Sequence, residues 1–157
     1  MAKIRNPYTH VKDYNCFGCA PGNENGLRMQ FETDGEVVTS VWEPKSFMQG
    51  YNNVLHGGIQ ATLMDEIGAW LVNIRLNTSG VTSKMETRYI KPVYVDGGPV
   101  FLCATLKEVR HKMAFIHVTL KNGEGILCAE SHMLYYVMNK EEATEKYDYP
   151  GIDAFLP

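Results

Sequence analysis

One long amphipathic helix is the feature that most limits what this chain can fold into. Residues 58–76, GIQATLMDEIGAWLVNIRL, repeat large apolar side chains at steps of three and four, the period of one helical face. No other segment predicts a long helix, so this apolar face has to be buried against strands. A second line on the same helix is narrow and mostly small, so we expect another backbone to pack closely against it. The apolar stripe consists of Ile59, Leu63, Ile67, Trp70, Leu71 and Ile74, and the small line of Ala61, Asp65, Gly68 and Val72.

The rest of the chain has the patterns of short strands. Residues 27–31 and 36–42 predict two strands before the helix, the second from its β-branched content. Residues 81–95 alternate with a period of two, and Pro92 is expected to end or bulge that strand, or to place it at an edge of the sheet. Further strands are predicted at 100–109, 113–120 and 126–138, with short connections that favour antiparallel neighbours. The expected fold is α+β, an antiparallel β-sheet wrapped around one long central helix.

Length and composition are those of one globular domain of 157 residues. We expect an N-terminal arm at 1–15, the domain at 16–138, and a C-terminal tail at 139–157 with a short helical turn and a loosely packed end. The net charge of −3 gives no general attraction to nucleic acid or to anionic membranes. No apolar run approaches the ~18 residues of a membrane span, and the N-terminus lacks a signal-peptide core. A cytoplasmic protein without nucleic-acid or membrane partners is therefore expected.

Several motifs along the chain resemble those of the hotdog-fold acyl-CoA thioesterases, in particular the PaaI-like branch. They are HGGIQATLMDE, preceded by QGYNN and by CFGC with NGLRMQF, and followed by RYIKPV and the strand pair RHKMAF and GILCAES. The likeness covers roughly residues 14 to 138. It implies a hotdog fold, an acyl-CoA substrate, and homodimers with composite active sites that often pair into homotetramers.

The stretch VLHGGIQATLMDE places Gly57 and Gly58 where a loop enters the helix. Open N–H groups at a helix N-terminus stabilise an oxyanion, because the donors and the helix dipole face the developing negative charge. Gly57, with Gly58 behind it, is the predicted donor, since it has no side chain to block an approaching thioester. The alternative is that the two glycines only allow close packing where the chain enters the helix. Asp65 and the resemblance together favour the oxyanion site.

Asp65 is the predicted attacking group, because an aspartate is ionised at neutral pH and can serve as nucleophile or general base. Its neighbour Glu66 projects about 100° away around the helix and is expected to be a surface acid. Eight residues separate Gly57 from Asp65. One helix therefore holds them about 12 Å apart along its axis, whereas reacting groups meet within about 3 Å. If both act, they come from different subunits across a two-fold axis, and the small face of Ala61 and Gly68 suits that contact.

Weaker candidates surround this pair. His56 is expected to orient the substrate carbonyl or to fix the Gly-Gly turn, and we favour support over proton transfer. The resemblance suggests a Ser or Thr role for Thr82 in holding water or the carboxylate, and an ordinary strand threonine fits equally well. The resemblance also suggests an amide before the histidine, and CoA phosphates need local cations. The predicted substrate-binding residues are Gly58, Gln49, Asn52, Asn53, Lys91, Arg110 and Lys112. The alternative for each of the three cations is an ordinary solvent-exposed residue of a turn.

The Cys16-x-x-Cys19 pair does not by itself define a metal site. Structural zinc needs four ligands, usually from two such pairs, whereas Cys103 and Cys128 are isolated strand residues. We expect neither a metal nor a redox pair, only reduced thiols. No cofactor is expected beyond the coenzyme A that forms part of the substrate.

These residues predict hydrolysis of a small to medium acyl-CoA or aryl-CoA thioester to the free acid and CoA. A non-catalytic acyl-CoA-binding protein on the same fold is the alternative. Regulators of that kind usually add a DNA-binding helix-turn-helix, for which this chain has no room. Dehydratases of the same fold carry a catalytic histidine on the helix itself. Asp65 favours hydrolysis in each comparison.

Overall fold

In a computed structural model that describes residues 1–157, seven strands form one antiparallel sheet in the order β1-β2-β3-β5-β6-β7-β4. The 20-residue helix α1 packs against strands β3 to β7. This sheet wrapped around one central helix is the hotdog fold that the sequence predicts. No helix in the chain is both long and apolar enough to cross a membrane. The elements are β1 (Ala2–Lys3), β2 (Glu32–Thr33), β3 (Val37–Trp42), α1 (Gly57–Leu76), β4 (Gly80–Tyr89), β5 (Val100–Arg110), β6 (Met113–Lys121), β7 (Leu127–Val137) and α2 (Lys140–Tyr147).

Helix α1 is buried on more than the predicted stripe. Leu63, Ile67 and Leu71 are fully buried as expected, and so is Val72 of the line of small residues. On another side the helix is covered by the N-terminal segment, residues 1–31, in which Phe31 stacks on Trp70 at 4.7 Å between ring centroids. A helix that is enclosed in this way has few polar positions that face water, so its charged residues need partners inside the domain.

The strand predictions hold for the second half of the chain, where the period of two is clear. β4 ends at Tyr89, before Pro92, as expected. The predicted strand at 27–31 is wrong, because that segment lacks ladder pairing and the short β2 begins only at Glu32. Its apolar side chains are nevertheless core residues, and both Met29 and Phe31 are buried.

Both ends of the chain pack onto the domain. β1 pairs with β2 through Ala2 and Lys3, and the next residue, Ile4, is buried. The expectation of a loosely packed tail is wrong, because Tyr149 and Phe155 are buried and their rings stack at 5.6 Å. The sequence does not reveal this anchoring. The helix α2 is rich in charged residues, and the apolar residues of the tail follow neither a helical nor a strand period.

Strand β4 forms one edge of the sheet and pairs only with β7. Most of its residues are exposed. A β-bulge interrupts its register: Thr82 pairs with Tyr135 and Lys84 with Leu134, which leaves Ser83 as the extra residue. An open strand edge of this length offers a free row of backbone groups to another chain.

Candidate active site

His56 sets the start of α1. It is the residue that caps the helix, and its Nδ1 accepts the Gly58 N–H at 2.8 Å. The next two N–H groups, of Ile59 and Gln60, donate to the His56 carbonyl at 3.0 and 3.1 Å. The Gly57 N–H is therefore the helix-start donor left without an acceptor in the chain. His56 thus fixes the Gly-Gly turn. Because the Gly58 N–H is bonded to His56, Gly58 supports the turn and does not offer an open donor.

Tyr89, at the end of β4, fixes the position of Gly57. The Tyr89 hydroxyl donates to the Gly57 carbonyl at 2.7 Å. Its ring carbons lie 3.4 Å from where a Cβ on residue 57 would stand. The sequence signal for Tyr89 was only its place in the RYIKPV motif, and no role followed from it. Because the peptide is held from this side, the open Gly57 N–H keeps a fixed direction.

Asp65 is held by two hydroxyl groups. Thr82 Oγ1 donates to Asp65 Oδ1 at 2.6 Å, and the Tyr135 hydroxyl lies 2.9 Å from the same oxygen and 2.7 Å from the Asp65 carbonyl. Burial, together with the charge of Asp65, raises the pKa of Tyr135 well above its usual range, so this phenol remains a donor. Thr82 was a candidate from the sequence, whereas Tyr135 is there only one more aromatic residue in a strand and was not predicted.

Gly68 makes room for this arrangement. A Cβ on residue 68 would lie 2.4 Å from the Tyr135 hydroxyl oxygen, so only glycine fits beside it. The prediction that the face with Ala61 and Gly68 packs on a partner subunit is therefore wrong at Gly68. That space is filled by Tyr135 and Met133 of the chain's own sheet.

Within one chain, Gly57 and Asp65 do not meet. Both lie on the continuous helix α1, so about 12 Å of helix axis separates them. Strand β4 runs beside both of them, with Thr82 near its start bound to Asp65 and Tyr89 at its end bound to Gly57. The two candidate catalytic groups therefore lie at opposite ends of the same edge strand.

The loop before α1 forms one wall of a cavity of about 520 Å³ beside the helix N-terminus. The Gln49 side chain donates to the Ser46 carbonyl and accepts the Asn53 N–H, and Asn53 donates to Asp96 at 3.0 Å. These two predicted substrate-binding amides therefore brace the loop, while Asn52 is exposed. The cavity is lined by Phe17, Asn25, Phe47, Met48, Gln49, His56, Gly58, Ile59 and Thr62.

The three candidate phosphate-binding cations do not converge within one chain. Arg110 forms two 3.0 Å hydrogen bonds with Glu108 and lies over the Phe115 ring at 5.2 Å, so its charge is already paired. Lys112 lies in the turn between β5 and β6. Because β6 pairs with β7 and β7 pairs with β4, this turn lies near the start of β4. Lys91 follows the end of β4, so about 30 Å of strand separates the two lysines.

The interpretation of Glu66 as a surface acid is wrong. The Cys16 sulfur lies 3.4 Å from Glu66 Oε1, and the Trp70 indole N–H donates to the same oxygen at 3.2 Å. Burial, followed by the charge on Cys16, raises the pKa of Glu66 to about 7. The hydrogen bond with Cys19 lowers the pKa of Cys16. The N-terminal segment covers this side of α1, which the helical period alone could not reveal.

A comparison with protein families finds a match over the part of the chain that contains Gly57 and Asp65. The family described as the thioesterase superfamily matches residues 52–129, the segment that runs from the loop before α1 into β7. Over this segment the chain matches the thioesterase superfamily, so the resemblance in its motifs is confirmed at that level. This match supports thioester hydrolysis in general.

Individual relatives are distant. A protein from Thermoplasma acidophilum named "Putative esterase Ta0293" is 23% identical over 112 residues, which is 71% of this chain and 83% of that protein. The structure of smu.793 from Streptococcus mutans bound to acetyl-CoA has a TM-score of 0.67 at 20% identity, over 83% of this chain and 98% of that one. The Escherichia coli PaaI protein has a TM-score of 0.66 at 14% identity, over 73% and 82%. These structures share the fold with this chain.

Proposed function

We propose that this protein hydrolyses a small to medium acyl-CoA or aryl-CoA thioester to the free acid and coenzyme A. The observation that carries the proposal is the presence of two groups in one chain: an open Gly57 N–H and an Asp65 carboxylate that Thr82 and Tyr135 hold in position. Thioester hydrolysis requires two protein groups: a hydrogen-bond donor that stabilises the oxyanion, and a carboxylate that attacks the carbonyl carbon or activates water.

The open edge of β4 supports an assembly that would bring these groups together. If the β4 edges of two copies pair antiparallel across a two-fold axis, the end of one strand lies beside the start of the other. Gly57 accompanies the end of β4 and Asp65 its start, so Gly57 of one subunit would then approach Asp65 of the partner subunit. The homodimer would contain two such composite sites, and pairing of dimers into a tetramer remains compatible with it.

In that site, the thioester carbonyl oxygen accepts the Gly57 N–H. Asp65 then either attacks the carbonyl carbon itself or takes a proton from a water molecule that attacks. A carbon–oxygen bond forms and the negative charge of the tetrahedral intermediate rests on the oxygen at Gly57. Collapse breaks the carbon–sulfur bond, and the CoA thiolate leaves and takes up a proton. If Asp65 is the nucleophile, a water molecule then hydrolyses the acyl-aspartyl anhydride and restores the carboxylate.

The cavity beside the helix N-terminus supports a substrate of this class. It reaches His56 and Gly58 and carries the aromatic side chains Phe17 and Phe47. Phe17 and Phe47 are 45% and 72% exposed, and a ligand in the cavity would cover both. The acetyl-CoA held by the Streptococcus mutans protein supports coenzyme A as the carrier. A cytoplasmic location fits such a substrate.

The test is hydrolysis of an acyl-CoA panel (acetyl, hexanoyl, palmitoyl, benzoyl and phenylacetyl) by wild type, Asp65→Asn and the control Asp153→Asn, an exposed acid in the tail. CoA release is followed by chromatography, because the four cysteines would consume a thiol reagent. We expect turnover in wild type and Asp153→Asn, and none in a folded Asp65→Asn. Binding without turnover in all three would leave a non-catalytic acyl-CoA-binding protein.

Mixed dimers test the composite site itself. Gly57→Pro deletes the N–H at the first helical position, where proline is well tolerated, and Gly57→Ala is the control that keeps the N–H. Gly57→Pro and Asp65→Asn should each be inactive alone. Co-expressed in equal amounts they should recover about a quarter of wild-type activity, because half of the dimers carry one intact site of two. No recovery in proven heterodimers would place both groups in one chain and refute the geometry.

A further inference from the structure

The CFGC loop lies directly on helix α1, against the residue that follows Asp65. The Cys16 and Cys19 sulfurs are 3.2 Å apart, and the Cys16 sulfur is 3.4 Å from Glu66 Oε1. One ligand atom from each of these three residues lies within 4.8 Å of the others. The helix thus supplies the additional ligand that the cysteine pair lacked in the sequence.

The loop is shaped to bring the thiols onto the carboxylate. A Cβ on residue 18 would stand 2.4 Å from Glu66 Oε2, so Gly18 is required for this close approach. The Cys19 backbone N–H points at the Cys16 sulfur at 3.4 Å. Because an N–H directed at sulfur stabilises the thiolate form, the loop prepares Cys16 as a ligand.

Outer hydrogen bonds orient two of the three candidate ligands. The Trp70 indole N–H donates to Glu66 Oε1 at 3.2 Å, and the Tyr14 hydroxyl lies 2.9 Å from the Cys19 sulfur. Tyr14 in turn accepts a hydrogen bond from Asn6 at 3.1 Å. Such outer partners are the usual means by which proteins orient metal ligands.

No cation of the chain balances this group. The five ion pairs in the structure do not include Glu66. A carboxylate therefore lies beside two thiols in a partly buried position without a positive partner, which is costly unless a proton or a metal ion neutralises it.

We propose that Cys16, Cys19 and Glu66 bind one divalent cation of the zinc class. Two sulfurs and a carboxylate oxygen are ligands that zinc accepts, and thiolates disfavour magnesium and calcium. A tetrahedral site at zinc–sulfur bonds of about 2.3 Å places two sulfurs about 3.8 Å apart, so they separate slightly on binding. The fourth position faces a cavity of about 220 Å³ that all three residues line, where a water molecule can enter.

The metal would tie the N-terminal segment to α1 at the turn that carries Asp65. Its role is to anchor the segment that covers the helix, because Glu66 projects about 100° around the helix from Asp65 and contacts Cys16, not the hydroxyls that hold Asp65. This inference does not depend on the proposed thioesterase activity.

The test uses cobalt(II) and zinc(II) with reduced, chelator-treated full-length protein under nitrogen. We expect one cobalt per chain with an intense thiolate-to-cobalt charge-transfer absorption, displaced by zinc. Cys16→Ser should remove that absorption and Glu66→Gln should weaken binding at least tenfold. Cys103→Ser, a strand cysteine outside the cluster, should bind like wild type. Zinc should also raise the thermal midpoint of wild type and leave that of Cys16→Ser unchanged.

Three results would overturn the proposal. The first is reduced wild type that takes up no cobalt, and the second is cobalt uptake with the same absorption in Cys16→Ser. The third is quantitative formation of a Cys16–Cys19 disulfide in protein that never binds metal, which would assign a dithiol role instead. Because Cys16 and Glu66 are only partly buried, their variants test the site even if Cys19→Ser fails to fold.

Discussion

Removing the Tyr135 hydroxyl tests how Asp65 is held. In Tyr135→Phe the ring stays in its buried position, and only the donor to Asp65 Oδ1 and to the Asp65 carbonyl is lost. A hydrogen bond to a charged group contributes about 1.5–3 kcal/mol. We take the lower end, because Thr82 still donates to the same oxygen and Asp65 keeps some contact with water. For a chain of this size, a loss of about 1.5 kcal/mol lowers the thermal midpoint by about 3–6 °C.

The same change should slow catalysis more than it weakens substrate binding. A carboxylate that rotates away from its productive position by about 1 Å can cost on the order of 10² in rate. We therefore expect kcat to fall about 10- to 100-fold, with KM changed less than about threefold. Tyr136→Phe is the matched control, since Tyr136 is the next residue in β7 and is 36% exposed. It should leave both the midpoint and kcat unchanged.

A double-mutant cycle separates orientation from simple loss of packing. Thr82→Val and Tyr135→Phe remove donors to the same oxygen, so their effects on kcat should be non-additive by about 0.5–3 kcal/mol. If Tyr135→Phe lowers the thermal midpoint while kcat stays at the wild-type value, the hydroxyl supports only the fold. That result would refute the assignment of Tyr135 as a positioning residue.

Three further substitutions test the packing, each by unfolding in urea. Gly68→Ala should cost about 1–3 kcal/mol, because its Cβ would meet the Tyr135 oxygen at 2.4 Å, whereas Gly22→Ala has open space and should be near neutral. Trp42→Phe should cost about 1–3 kcal/mol, because it removes the buried 2.8 Å hydrogen bond from the indole to the Leu27 carbonyl. Burial raises the pKa of Tyr149 from 10.0 to about 12, so its contribution is complete below pH 10 and is lost as the pH rises to about 12. Tyr149→Phe should therefore lose less stability over that interval than wild type, and an equal loss would contradict this reasoning.

Periodicity predicted the parts of the fold in which one face is buried and the other is not. The helix predicted over 58–76 is found at Gly57–Leu76, and the strand predicted over 100–109 is found at Val100–Arg110. The tail and the segment at 27–31 could not be predicted in this way. Their buried residues, such as Phe155 and Met29, are single apolar anchors in irregular or charged sequence.

The sequence predicted the part of the candidate site that depends on the backbone. It did not predict the part that depends on side chains from distant elements. The open donor at Gly57 follows from its place at a helix start, and that needs no tertiary information. Tyr135 and Glu66 required the sheet and the N-terminal segment to be in place, since their partners lie 70 and 50 residues away in the chain. Nothing in a single sequence links positions so far apart.

A single irregular residue in β4, Ser83, decides whether Thr82 can reach the site. Strict alternation along β4 places Thr82 on the face opposite to Tyr89, so the two could not both reach α1. The bulge at Ser83 absorbs one residue, and Thr82 then pairs with the inward-facing Tyr135. Both hydroxyls consequently reach Asp65 Oδ1, while Tyr89 further along the same strand reaches Gly57. The bulge therefore allows one edge strand to position both the open Gly57 N–H and the Asp65 carboxylate, at the two ends that antiparallel pairing with a second copy would bring together.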